Sequence, residues 1–82
     1  MATHAYRFHC TDGHVAIIDT AGVIVPDKSQ LQRYAEQAAR YAMERVGRML
    51  DWSEWIVDVH DHRGRRVLML AFKDVHDVPL AA

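Results

Sequence analysis

Cysteine and long apolar runs are scarce in the sequence, and each shortage excludes a class of protein. A single cysteine, Cys10, cannot form an internal disulfide, which excludes a disulfide-stapled fold. A lone thiol also suits a reducing compartment, so we expect a cytoplasmic protein. No stretch approaches the ~20 apolar residues that a membrane helix needs, and the N-terminus lacks the apolar core of a signal peptide. We therefore expect no association with a membrane.

The sequence also lacks an excess of positive or negative charge and lacks a cluster of glycines. The formal net charge is -1 and the isoelectric point is near 6.6, which argues against a general nucleic-acid binder. The four glycines are isolated, so no glycine-rich loop is present to hold a phosphate. No spacing of nucleophile and base predicts a catalytic site. The sequence therefore favours a non-catalytic protein and leaves an enzyme as the open alternative.

The length predicts one small domain over residues 1–82. We expect an ordered core over about 5–72 and a loose tail over 73–82, where Pro79 disfavours regular structure. A chain this short buries only about 60–65% of the surface that its unfolded form exposes. Small proteins at this limit often gain core by oligomerising, so a homodimer is expected.

What the sequence does contain is two turn signals, one near each end, that lie between apolar runs. Asp12-Gly13 is a dipeptide preferred in tight hairpins, and residues 61–64 form a similar polar turn ending in glycine. The flanking residues alternate between apolar and polar or are apolar throughout, as in strands. A further short extended run follows a turn at 19–22. The predicted strands are 5–12, 15–18, 55–60 and 67–72, with the short extended run at 23–25.

Between these hairpins the apolar spacing changes to that of a helix. Asp27 can cap the start of this helix, and the apolar periodicity continues to about Leu50. Gly47 is an alternative, earlier end of the helix. Half of the predicted core-facing positions are alanine. Because alanine side chains are small, the helix axis should lie close to the sheet on which it packs. The core-facing positions are Leu31, Ala35, Ala38, Ala42, Val46 and Met49. The predicted fold is α+β, with ββαββ order, a mainly antiparallel four-stranded sheet and one long helix on one face.

A second stripe of the helix lies about 90° from the core-facing line. It contains Tyr34, Tyr41 and Arg45. Tyrosine and arginine are enriched in protein interfaces, but such residues also lie half-buried along sheet edges. We take this stripe as the candidate subunit interface.

Six histidines are the one compositional excess. If the first and third strands are neighbours, His9, Asp58 and His60 meet on one polar face. Two imidazoles and a carboxylate could bind Zn²⁺ with a position left open for water, or could move protons near neutral pH. Scattered surface histidines and cross-strand polar pairs are the competing interpretation, in which no cofactor is bound.

Three arginines surround the second hairpin turn: Arg63, Arg65 and Arg66. A basic hairpin can enter a groove of DNA, although Asp58 and Asp61 partly cancel this charge. Nucleic-acid binding is therefore the weakest of the binding hypotheses.

Cys10 invites comparison with catalytic cysteines because His9 is adjacent. It falls, however, on the same strand face as the aromatic residues of the predicted core. A buried cysteine behaves as a small apolar residue, and we expect that role here.

Several short motifs follow one another in a fixed order along residues 5–72. Their residues are Tyr6 and Phe8, then Asp19 and Gly22, Pro26 and Asp27, Ala35, Ala38 and Ala39, Trp55, Val59, Asp61, Gly64 and Arg65, and Phe72. In this order and spacing the chain resembles a family of small bacterial proteins known only as a domain of unknown function. The resemblance implies the same ββαββ order, and it supplies no catalytic residue.

The sequence thus predicts a non-catalytic regulatory or protein-interaction module that forms a homodimer. A metal- or small-ligand-binding protein that uses the His/Asp sheet face is the alternative. Nucleic-acid binding through the second hairpin is a further one.

Overall fold

One helix covers one face of an antiparallel sheet. The computed structural model describes residues 4–47 and 50–75. The helix, α1, spans Leu31–Val46 and follows a single 3-10 turn at Lys28–Gln30. The strands are β1 (His4–Thr11), β2 (Ala16–Ile17), β3 (Val23–Val25), β4 (Ile56–His60) and β5 (Arg66–Ala71). This arrangement confirms the predicted α+β class, and the ββαββ order is broadly matched, because β2 and β3 together form the return of the first hairpin.

The sheet is ordered β2-β1-β4-β5, and β3 also pairs with β1. All pairings are antiparallel. The first and third predicted strands are therefore neighbours, as β1 and β4, with Arg7 opposite His60 and His9 opposite Asp58. This register gives the sheet a polar centre on the face away from the helix.

Aspartate side chains hold both predicted hairpin turns. Asp12 Oδ1 accepts hydrogen bonds from two backbone N–H groups of its turn, at 2.8 and 2.9 Å. Asp61 Oδ1 likewise accepts two, both at 2.9 Å. Each carboxylate thus satisfies backbone donors that the tight turn leaves without partners, which is why aspartate is favoured at these positions.

The outer edge of β1 has a gap in its hydrogen-bond ladder. β2 pairs with the end of β1 and β3 with its beginning, so the middle of the strand has no neighbour there. Asp19 fills the gap, because its Oδ2 accepts the backbone N–H of Phe8 at 3.1 Å. Its other oxygen accepts the N–H groups of Ala21 and Gly22, at 3.1 and 2.9 Å. The expected strand 15–18 is shortened because the chain leaves the sheet at this loop.

The helix ends earlier than the apolar periodicity indicates. Gly47 adopts φ 90° and donates its N–H to the carbonyl of Met43 at 2.8 Å. A positive φ is accessible to glycine without steric cost, so the chain turns away at this residue. The expected end at Leu50 is wrong, and the alternative at Gly47 is confirmed. At the other end, the Asp27 side chain caps the 3-10 turn by accepting the N–H of Ser29.

The core lies between α1 and the helix-facing side of the sheet. Leu31, Ala35, Ala39 and Ala42 are the buried residues of the helix. The buried line thus runs through Ala39, whereas Ala38 is only half-buried. Val46 is 47% exposed and not in the core, because α1 ends there; Met49 lies outside the described residues. The sheet supplies the bulk: Tyr6, Phe8, Cys10, Val25, Trp55, Val57, Val59, Leu70 and Phe72, with Val75 beyond it.

Ala39→Leu tests how closely the helix approaches the sheet. Ala39 is fully buried, so an isobutyl group there must displace neighbours, and we expect a loss of about 1–3 kcal/mol in the free energy of unfolding. Gln32→Leu is the control, with an expected change within about 0.5 kcal/mol because Gln32 is an exposed residue of the same helix. Urea unfolding measures both. Equal stability of the two variants would contradict this packing.

Three aromatic rings close the core beyond the end of the helix. Trp55 is 3% exposed. The ring centroids of Trp55 and Trp52 lie 5.0 Å apart. The ring of Trp52 in turn stacks on that of Phe72, with centroids 5.3 Å apart. The Trp52 indole N–H donates to the carbonyl of Gly47 at 3.1 Å. A short 3-10 turn at Phe72–Asp74 follows β5 and leads to buried Val75, so the core extends past the expected boundary at residue 72.

Candidate functional site

An apolar groove separates α1 from the sheet edge that β2 and β3 form. Its volume is about 700 Å³. The sheet-side wall consists of Ile17, Ile18 and Val23, which are 41%, 56% and 39% exposed. On the helix side, the small side chains of Ala38 and Ala42 leave the space open. Large apolar side chains therefore meet solvent on a surface that is continuous with the core.

The predicted interface stripe forms the helix-side wall of this groove. Tyr34, Tyr41 and Arg45 all line it. Arg45 Nη1 donates to the Tyr41 hydroxyl at 3.1 Å, and its guanidinium carbon lies 5.4 Å from the ring centroid. Tyr34 stacks on Phe8 of the core, with centroids 6.3 Å apart. The structure thus brings these residues together, and their role in an interface stays a prediction.

The groove carries one charge of each sign, on opposite walls. Asp19 lies on the sheet side and Arg45 on the helix side. Although burial raises the pKa of the Asp19 carboxyl, the backbone N–H groups of Gly22 and Phe8 hold this pKa below its usual value. Asp19 is therefore ionised at neutral pH.

Cys10 lies at the base of the groove and is 4% exposed. Burial, together with the charge of Asp19, raises the pKa of its thiol to about 11. This confirms the expected core position of Cys10. A thiol that is protonated at neutral pH and buried is a poor nucleophile.

The reactivity of Cys10 gives a direct test of this burial. We expect a thiol reagent at pH 7 to modify the native protein much more slowly than the urea-unfolded protein, because the thiolate is the reacting species. Absorbance of the released chromophore measures both rates. Equal rates would show that Cys10 is accessible in the folded state.

The predicted metal-ligating residues do meet on the face of the sheet away from α1. The His9 and His60 rings lie edge to face with centroids 5.4 Å apart, and His60 Nε2 is 3.1 Å from Asp58 Oδ1. Arg66 also engages Asp58 with two hydrogen bonds, at 2.7 and 3.1 Å. Hydrogen bonds from the Arg66 guanidinium, above all, hold the pKa of Asp58 below its usual value.

The three side chains that a metal would need already make hydrogen bonds to other groups of the protein. His9 Nδ1 accepts the backbone N–H of Asp19 at 3.0 Å, so a neutral His9 carries its proton on Nε2. Asp58 is held by Arg66. Within the part of the chain that the structure describes, no group of three or more His, Cys, Asp or Glu side chains could hold a metal ion. Zinc binding at His9, Asp58 and His60 stays a prediction that requires these bonds to rearrange.

The arginines of the second hairpin are engaged to different degrees. Arg65 Nε donates to Asp61 at 3.2 Å, and Arg66 is paired with Asp58. Arg63 makes no salt bridge with the residues in 4–47 and 50–75. Nucleic-acid binding by these arginines stays a prediction.

A second hollow, of about 490 Å³, lies beside this turn. Besides the turn residues it is lined by Tyr6 of β1 and Lys28 of the 3-10 turn. Sequence reasoning missed both, because they are far from the arginines along the chain and no local motif links them.

Comparisons with known proteins identify the family of this chain and name no activity. No helix within the described ranges is both long and apolar enough to cross a membrane. Comparison with curated proteins and with solved structures gave no match. A family model described as a domain of unknown function (DUF6894) matches residues 5–73. This match spans most of the chain and all of the sheet except the first residue of β1, so the protein belongs to the DUF6894 family.

Proposed function

We propose that the protein is a non-catalytic interaction module that works in the cytoplasm as a homodimer, with the apolar groove as the contact between two copies. The observation that carries the proposal is the continuous apolar surface of Ile17, Ile18, Val23, Tyr41 and Val46. Monomeric soluble proteins rarely leave such a patch exposed, and exposed apolar patches of this kind mark interaction sites. A second copy would also enlarge a core that is small for an independent domain.

The charges in the groove favour a second copy over an unrelated partner. In a two-fold dimer each contact occurs twice, once in each direction. Asp19 and Arg45 lie on opposite walls, so a two-fold arrangement that brings the Arg45 of one copy to the Asp19 of the other forms this ion pair twice. The surface is in this respect complementary to itself.

Ile18→Glu tests the dimer. Ile18 is 56% exposed in the groove, so a glutamate causes little strain in the isolated chain but buries a charge in the proposed interface. We expect the wild-type protein to be a dimer in analytical ultracentrifugation and the variant to dissociate at least about 100-fold more readily, since a buried unpaired charge costs about 3–5 kcal/mol.

Ile24→Glu is the matched control. Ile24 is 60% exposed and lies between groove-lining Val23 and buried Val25, so its side chain is on the other face of the sheet. The control variant should dimerise like the wild type. A monomeric wild-type protein, or equal dissociation of the two variants, would contradict the proposal.

A further inference from the structure

We infer that the hollow beside the second hairpin turn is a binding site for the phosphate group of a small phosphorylated molecule. The site combines three donors from separate segments: Lys28 before α1, Arg63 in the β4–β5 turn and Tyr6 in β1. The hollow is distinct from the apolar groove, because Lys28, Arg63 and Tyr6 do not line the groove. The inference therefore holds for a monomer or a dimer.

The charges that line the hollow leave a positive surplus. Arg65 and Arg66 are each paired with a carboxylate, Asp61 and Asp58 respectively. Neither Lys28 nor Arg63 has such a carboxylate in the described ranges. Ammonium and guanidinium groups are the side chains that proteins use most to bind phosphate.

Tyr6 supplies the second, independent observation. Its side chain is 5% exposed and lines the hollow, so its ring belongs to the core while its surface contributes to the hollow. A buried tyrosine normally finds a partner for its hydroxyl. Among the residues described, none forms a hydrogen bond with the Tyr6 hydroxyl. The hydroxyl is not a fully enclosed atom, so it is available at the surface of the hollow. A phosphate oxygen there can accept from it beside Lys28 and Arg63, which have no carboxylate partner among the described residues.

Asp61 also lines the hollow, but its carboxylate repels an anion less than its formal charge indicates. Asp61 directs Oδ1 to the backbone N–H groups of Arg63 and Arg65, and Oδ2 to the side chain of Arg65. Both oxygens of the carboxylate thus accept hydrogen bonds within the turn that contains Arg63. The volume of about 490 Å³ lies within the range of small-molecule sites. A near-neutral net charge favours a small ligand over a nucleic-acid backbone.

Calorimetric titration with inorganic tripolyphosphate tests the inference. We expect binding at low ionic strength, and a loss of affinity of about tenfold for both Lys28→Ala and Arg63→Ala, since each removes a charge-assisted hydrogen bond. Tyr6→Phe keeps the buried ring and should weaken binding by about three- to tenfold. Arg33→Ala is the matched control, because Arg33 is an exposed cation on α1 outside the hollow. Its affinity should equal that of the wild type.

Three outcomes would overturn the inference. They are absence of tripolyphosphate binding by the wild-type protein, an equal loss of affinity in the Arg33→Ala control, and unchanged affinity in Lys28→Ala and Arg63→Ala. A fluorescent single-stranded oligonucleotide distinguishes the source of the phosphate. Retention of the oligonucleotide through Lys28 and Arg63 without binding of tripolyphosphate would assign the site to nucleic acid and overturn the small-molecule assignment.

Discussion

Trp55→Ala is expected to lower the free energy of unfolding by about 3–5 kcal/mol. The Trp55 indole is 3% exposed and contacts the rings of Trp52 and Phe72, so truncation leaves a large cavity that the rigid sheet cannot fill. Domains of this size have only about 5–15 kcal/mol of stability in total. The variant should therefore unfold at a temperature lower by about 4–8 °C for each kcal/mol lost. Thermal and urea unfolding at one fixed protein concentration measure the change.

Trp55→Phe is the control, because it preserves an aromatic ring at the same place. We expect it to cost much less than the alanine variant, although still more than an exposed substitution such as Val67→Ala, whose side chain is 43% exposed. If Trp55→Ala and Val67→Ala had the same unfolding midpoint, the aromatic cluster would not be part of the core.

Asp19→Ala is expected to cost about 2–4 kcal/mol, because it leaves several backbone N–H groups without an acceptor. The Asp19 carboxylate accepts the N–H of Phe8 in the gap of the β1 ladder, and two more in its own loop. Asp19→Asn keeps one acceptor oxygen and should fall between the alanine variant and the wild type. Amide hydrogen exchange locates the effect, which should appear as faster exchange at Phe8. Unchanged protection at Phe8 would refute this role of Asp19.

The same carboxylate gives stability that depends on pH. The pKa of Asp19 is lower in the folded protein than its usual value of 3.8, so the unfolded chain binds more protons in acid. The stabilisation is fully present above the unfolded pKa and is lost as the pH falls through the folded pKa. The wild-type protein should therefore lose more stability than Asp19→Asn between neutral pH and acid. Parallel pH profiles of the two proteins would contradict this linkage.

Local patterns in the sequence predicted most of the fold. The turns at Asp12-Gly13 and 61–64 have the chemistry that tight turns demand, and the helix has a cap and a regular apolar spacing. What periodicity could not predict is the rotation of α1 by a fraction of a turn, which buries Ala39 and leaves Ala38 at the groove. That choice depends on contacts between elements that are far apart along the chain, and Ala38 and Ala39 are identical in every local property.

The sequence could predict a candidate site only where all of its residues lie on one helix or strand. Tyr34, Tyr41 and Arg45 share one helix stripe, so their common location at the groove follows from the helical repeat. The opposite wall, at Ile17 and Ile18, depends on the interruption between β2 and β3. Lys28 meets Arg63 only through the tertiary fold. No local signal marks either of these meetings.

The interruption in the outer edge of β1 also bears on how the protein avoids aggregation. An exposed, continuous edge strand is a template on which a strand of another chain can add. Here β2 has two residues and β3 has three, and the Asp19 carboxylate occupies the backbone donor between them. Each remaining piece of edge is too short to align a foreign strand. The loop at 18–22 therefore protects this side of the sheet from strand addition. Among the described strands, the longer edge is that of β5, where uncontrolled strand addition would begin.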